Sequence, residues 1–110
     1  MAGKFELKQL KNEQYLFNLK ASNGQIILTS EQYKSKSGAV NGIESVRKNA
    51  VNESRFEVLE SKNGEPYFVL KAGNGEVIGR SEIYSSDAAC KNGIQSVMKN
   101  APDAELVELS

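Results

Sequence analysis

The sequence contains no histidine, and that absence excludes a wide range of chemistry. Without imidazole there is no serine or cysteine triad of the usual kind, no histidine acid–base pair, and no zinc site that relies on imidazole. Cysteine is nearly absent too. The single Cys90 rules out an internal disulfide, and a lone thiol at an apolar helical position reads as packing. No apolar run approaches the roughly 20 residues needed to span a bilayer. The N-terminus passes from Met1-Ala2-Gly3-Lys4 into Phe5 without a signal-peptide core. Neither sign of charge is in excess, since 14 basic side chains face 14 acidic ones. No whole-molecule field is then available to hold a polyanion, which disfavours nucleic acid and anionic membranes as partners. The glycine patterns of Walker and dinucleotide-binding loops are missing, as are linkers and low-complexity stretches. The expectation is a cytoplasmic protein with no cofactor, no metal and no catalytic residues.

What is present is a duplication. Lys20-Ala21-Ser22-Asn23-Gly24 returns as Lys71-Ala72-Gly73-Asn74-Gly75, and Ser30-Glu31-Gln32-Tyr33 returns as Ser81-Glu82-Ile83-Tyr84. Asn41-Gly42-Ile43-Glu44-Ser45-Val46 returns as Asn92-Gly93-Ile94-Gln95-Ser96-Val97, always at an offset of 51 residues. A fixed period of this kind marks a repeated supersecondary unit. Each half alone sits near the lower limit for autonomous folding, so the halves are expected to share one core.

Within each unit the apolar period changes from two to about 3.6. Phe5-Glu6-Leu7-Lys8, Tyr15–Lys20 and Gln25–Thr29 read as three strands. Asn23-Gly24 and Asn74-Gly75 are taken as two-residue type I′ turns. Ala39, Ile43, Val46 and Ala50, matched by Cys90, Ile94, Val97 and Ala101, predict a helix. Ser35 or Ser37, and Ser86, are the candidate caps. Gly42 and Gly93 in mid-helix imply a close approach of the helix backbone to a neighbour. Asn49 and Asn100 are expected to end each helix in a left-handed conformation. Val107-Glu108-Leu109 repeats the start of each unit, and this orphan strand needs a sheet edge.

The fold class is therefore α+β. Two tandem β-β-β-α-β repeats, about 4–54 and 55–105 with a closing strand over 106–109, form one domain over 1–110. They build a single antiparallel sheet with both helices on one face and terminal strands exchanged between repeats.

The expected hairpin register pairs Lys20 with Ile27 and Ala21 with Ile26. It sends Phe17, Leu19, Ala21, Ile26 and Leu28 to the core with Phe68, Leu70, Ala72 and Val77, and Phe5, Leu7, Phe56 and Val58 extend it. The other face then carries Leu16, Asn18, Lys20, Ile27 and Thr29, then Tyr67, Val69, Lys71, Ile78 and Arg80. Two readings of this mixed face stand open. Scattered aliphatics on strands are ordinary, and a contiguous apolar patch marks a partner surface. Lys20, Ile27, Tyr67, Lys71, Ile78 and Arg80 are the candidates for such a surface. Asn41 and Asn92, polar and mid-helix, either hydrogen-bond across to the other repeat or line a site. Glu31 and Glu82, each beside a tyrosine, form the one candidate carboxylate pair, which does chemistry only at a defined separation inside a cleft.

These doubled motifs at this spacing resemble the YegP-like family of small uncharacterised bacterial proteins, over essentially the whole chain. The resemblance implies two interlocked repeats and a body that single-repeat relatives would build as homodimers. It implies no activity, cofactor or catalytic residue. The expected function is a non-enzymatic binding or interaction protein, a monomer that is a dimer within one chain, with an unknown protein or small-molecule partner. The alternative is a nucleic-acid-binding accessory protein using Lys20, Lys71 and Arg80, and an enzyme comes third.

Overall fold

A computed structural model describes residues 3–109; Met1, Ala2 and Ser110 of the expected domain lie outside the described residues. Strands β1 (Lys4–Gln9), β2 (Tyr15–Lys20) and β3 (Ile26–Ser30) precede helix α1 (Lys36–Asn49). Strands β4 (Phe56–Glu60), β5 (Pro66–Lys71) and β6 (Val77–Arg80) precede helix α2 (Asp87–Asn100), and β7 (Glu105–Glu108) closes the chain. The seven strands form one sheet in the order β4-β5-β6-β3-β2-β1-β7. The two meanders meet at the antiparallel β3–β6 pair, Thr29 opposite Arg80 and Ser30 opposite Gly79. β7 crosses back to β1 and runs parallel to it, Phe5 opposite Leu106 and Leu7 opposite Glu108. The sheet is thus mixed, and the last strand of the second repeat completes the first.

Both helices pack on one face, α1 over β2, β5 and β6 and α2 over β3 and β5. Each therefore leans on the other repeat's strands, and one core forms around Phe5, Phe17, Leu19, Leu28, Ile43, Phe68, Leu70 and Val97. Ser35 Oγ accepts from Gly38 N–H and Ser86 Oγ from Ala89 N–H, capping the two helices. Gly79 stands where the first repeat has Leu28 because Leu28 reaches across the join. A Cβ on Gly79 would lie 3.0 Å from Leu28 Cγ, so two leucines do not fit there.

The doubled motifs lock into one another. Ser30 Oγ accepts from Phe17 N–H and donates to the Glu31 carbonyl, and Ser81 does the same with Phe68 and Glu82. Tyr33 stacks on Phe17 and Tyr84 on Phe68, each with ring centroids 6.1 Å apart. The far end of each tyrosine lies against a helix glycine, and a Cβ on Gly42 or Gly93 would stand 2.7 Å from the ring Cζ. Glycine in mid-helix is the condition for that tyrosine to pack.

Three local expectations are corrected. The hairpins are not type I′, because Gly24 and Gly75 have positive φ but Asn23 and Asn74 do not. Each is a three-residue loop closed by Ala21 N–H to Gln25 and Ala72 N–H to Glu76, with glycine in the left-handed position. A bulge follows, pairing Lys20 with Ile26 and Lys71 with Val77. The extra residue turns the next side chain inward. Ile27 and Ile78 are therefore core, 6% and 8% exposed, whereas Ile26 and Val77 are 41% and 38% exposed. Asn49 and Asn100 do not adopt left-handed conformations. They are buried within the last helical turn, where each Nδ2 donates to the carbonyl four residues back, of Ser45 and Ser96. Lastly, Val58 is not core: it is half exposed at the β4 edge.

Candidate functional site

The candidate residues fall into three places. On the open sheet face, Lys20 pairs with Glu6 at 3.0 Å and Lys71 pairs with Glu57 across neighbouring strands. Each lysine is thereby neutralised by its own sheet. Arg80 lies opposite Val69, which is buried on this face. Arg80 and Tyr67 line one cleft of about 570 Å³ with Lys62, Asn63 and Ile83. In the first repeat Asn12 Nδ2 donates to Gln32 Oε1 at 3.2 Å across the matching place. Ile83 replaces Gln32, so that bridge is lost. Tyr67 and Arg80 share a cleft but form no continuous stacking platform, and the two inward-turned isoleucines leave the face less apolar than the sequence suggests.

Asn41 and Asn92 occupy the second and third places, which are equivalent. A groove of about 620 Å³ runs between α2 and the first hairpin, lined by Ala21, Ser22, Asn23, Asn92, Gln95, Ser96, Lys99, Asn100 and Asp103. It continues towards Gln25, Ile27, Glu82 and Tyr84 through a smaller hollow that shares Asn23, Asn92 and Ser96. Its counterpart, about 520 Å³, lies between α1 and the second hairpin and is lined by Asn41, Glu44, Ser45, Lys48, Asn49, Arg55, Ala72, Gly73 and Asn74. Each groove thus joins the polar face of one repeat's helix to the hairpin tip of the other. Asn23 and Asn74 hold those tips by accepting from Gln25 and Glu76 N–H at 3.0 Å each.

Asn41 and Asn92 are exposed, and their side chains make no hydrogen bond among the described residues. Neither side chain hydrogen-bonds across to the other repeat, and each borders its groove. The other lining residues carry no signal of a site: the sequence marks Asn23 and Asn74 as turn residues and Ser45, Gln95 and Ser96 as part of a doubled helical motif. Helical spacing puts Asn41, Ser45 and Lys48 on one face, which the turn pairing across repeats completes.

Little in the molecule favours covalent or acid–base chemistry. Cys90 is buried, and burial, with Asp87 nearby, pushes its thiol up, opposite to a reactive cysteine. Burial first, then Glu31 and Glu76, raises Tyr33; burial first, then Glu82 and Cys90, raises Tyr84. Glu82 borders the hollow beside Gln25, and no described cavity is lined by both Glu31 and Glu82. Among the described residues no three acidic or sulfur side chains gather as metal ligands, and no helix is long and apolar enough to cross a membrane.

The interlocked repeats decide the relationship. Residues 11–57 and 61–108 each match the model of DUF1508, a domain of unknown function. The chain belongs to that family. It is 56% identical to the UPF0339 protein YegP of Yersinia pestis over 98% of this chain and 96% of that one. It is 53% identical to UPF0339 protein PA0329 of Pseudomonas aeruginosa over the full length of both. A solution structure of a UPF0339 protein from Shewanella oneidensis superposes with a TM-score of 0.93 at 51% identity, covering 99% of this chain and 92% of that one. The E. coli yegP solution structure, described as of unknown function, also gives 0.93, at 44% identity, covering 98% and 93%. The first matched block runs from β2 through α1 into the start of β4, and the second from β5 through α2 to β7, so each begins after the first strand of its meander. Family membership supplies the architecture and no activity.

Proposed function

We propose that this DUF1508 chain is a small non-enzymatic binding protein, working in the cytoplasm as a monomer, whose ligand sits in the paired helix–hairpin grooves. One observation carries the reading. Two copies of a groove are lined by amides and hydroxyls, with unengaged Asn41 and Asn92 at equivalent positions. The first groove carries one charge of each sign, Lys99 and Asp103, and the second carries Lys48 and Arg55 with Glu44, whose carboxylate is ion-paired with Arg47. Such a lining favours an uncharged, hydrogen-bonding ligand such as a saccharide or a peptide amide over a polyanion. The nucleic-acid alternative on the sheet face is weakened by the ion pairs that occupy Lys20 and Lys71. An enzyme would need a turnover lost on substitution of Glu31 or Glu82.

The test is amide-shift mapping of the isotope-labelled chain against neutral saccharides and blocked dipeptides. Shifts are expected around Asn23, Asn92 and Gln95 and around Asn41, Ser45 and Asn74. They should vanish in the Asn41→Ala, Asn92→Ala double variant, whose exposed substitutions leave thermal stability unchanged. Shifts that persist in that variant overturn the grooves. Salt-sensitive retention on single-stranded nucleic acid, lost on Arg80→Ala, would favour the alternative.

A further inference from the structure

The two outer edges of the meanders, β1 and β4, are equivalent by the repeat, yet among the described residues only β1 is covered by a further strand. β7 lies along β1, donating from Leu109 N–H to the Leu7 carbonyl at 2.8 Å. The matching place along β4 is open. Val58, the counterpart of Leu7, is 50% exposed where Leu7 is 2% exposed. Phe68, which stands opposite Val58, uses its N–H on Ser81 Oγ and its carbonyl on Ser81 N–H. The Val58–Phe68 pair is therefore the non-hydrogen-bonded kind, and the N–H and C=O of Val58 point outward. The same holds for Glu60, since its opposite, Pro66, has no N–H and gives its carbonyl to Tyr84 N–H. The start of the edge is self-closed, with Phe56 N–H bonded to the Glu53 carbonyl. The open stretch is Val58 to Glu60.

We infer that this edge takes an extended basic peptide as an eighth strand, parallel to β4, with lysine or arginine beside Val58. The filled edge gives the template. Its residue opposite Leu7 is Glu108, which Lys36 at the start of α1 holds in an ion pair. At the open edge the counterpart of Lys36 is Asp87 at the start of α2. A residue opposite Val58 thus meets a carboxylate and must be cationic, its aliphatic stem lying on the exposed valine. Glu53 and Glu60 are exposed acids on the same border. A second copy's β7 is a poor occupant, because its Glu108 would face Asp87. Strand addition to an edge gives affinity through the main chain and selectivity through such side-chain positions.

The probe is a blocked alternating peptide of threonines and valines with one central lysine, titrated into the labelled chain beside a twin with glutamate in its place. The lysine peptide is expected to shift the amides of Val58 and Glu60 and to bind at least tenfold more tightly than its twin. Asp87→Lys should reverse that preference. Val58→Pro, which removes only an outward N–H, should abolish binding while far-ultraviolet dichroism stays native. Equal binding of the twins, or shifts away from β4, overturns the proposal. So does a concentration-dependent dimer that protects the Val58 and Glu60 amides without peptide, which would make a second copy the occupant.

Discussion

The β1 edge and the β4 edge descend from one sequence pattern and end in different states. Along β1, Arg47 of α1 donates to the Ala104 carbonyl at 2.6 Å and lies 5.4 Å over the Phe5 ring, while Lys36 holds Glu108. Along β4 the corresponding residues are Met98 and Asp87, which offer neither contact to an incoming strand of this sequence. The central motifs diverged little, because both repeats must satisfy the same serine bridge, tyrosine stack and glycine contact. The edge residues diverged where one copy acquired a strand and the other did not. The doubled serines, tyrosines and glycines therefore report on closure of the fold, and the unmatched pairs Leu7/Val58, Lys36/Asp87 and Arg47/Met98 report on what each edge meets.

That comparison predicts unequal costs at equivalent places. Leu7→Ala should lose about 2–5 kcal/mol, the usual range for a buried leucine. Val58→Ala should lose about 0.5 kcal/mol, as for exposed positions. Urea unfolding of both variants checks this, and equal losses would mean that the β4 edge is covered in solution. Next in size is Arg47→Met, which copies the second repeat and should cost about 1.5–3 kcal/mol for a hydrogen bond to a charged group. Hydrogen exchange at Leu109 should quicken in that variant, while Met98→Arg should leave exchange at β7 unaltered.

Within the duplicated centre the repeats should instead respond alike. Gly42→Ala and Gly93→Ala each force a tyrosine ring aside, an overpacking cost of about 1–3 kcal/mol. Alanine's helix preference returns roughly 1 kcal/mol of it. Matching losses in thermal unfolding are expected, and a difference beyond about 1 kcal/mol would break the equivalence.

Much of this was legible in the sequence for identifiable reasons. The 51-residue offset revealed the interlocked units, and the orphan Val107-Glu108-Leu109 revealed the exchanged strand. The face of Ile27 and Ile78 was not legible. Asn-Gly serves a two-residue turn and a three-residue loop equally well, and one residue of register turns an isoleucine from solvent to core. Asn41 and Asn92 could be singled out as unexplained, but their grooves are completed by hairpin tips of the opposite repeat. Pairings across repeats leave no spacing in the chain. The open edge was hidden for a related reason. Phe56 and Val58 copy Phe5 and Leu7 in pattern, and only the course of β7 decides which pair is covered.

The smallest effect is the most discriminating test of edge chemistry. Lys36 and Glu108 are both well exposed, so their ion pair contributes about 0–1 kcal/mol at low ionic strength. Lys36→Asp should therefore lower stability by no more than about 1 kcal/mol. The loss should shrink towards zero near 1 M salt, where the screening length is about 3 Å. Asp87→Lys places a cation at the positive end of the α2 dipole and should lose about 0.3–1 kcal/mol, screened by salt in the same way. The same dipole favours an acid at the start of α1 and offsets part of the Lys36→Asp loss. Glu108→Gln removes the ion pair and leaves both helix starts unchanged, so urea curves of that variant at low and high salt read the pair alone. A salt-dependent loss there would leave charge at the helix starts as the feature that distinguishes a filled edge from a receptive one; no loss would mean that β7 is held without it.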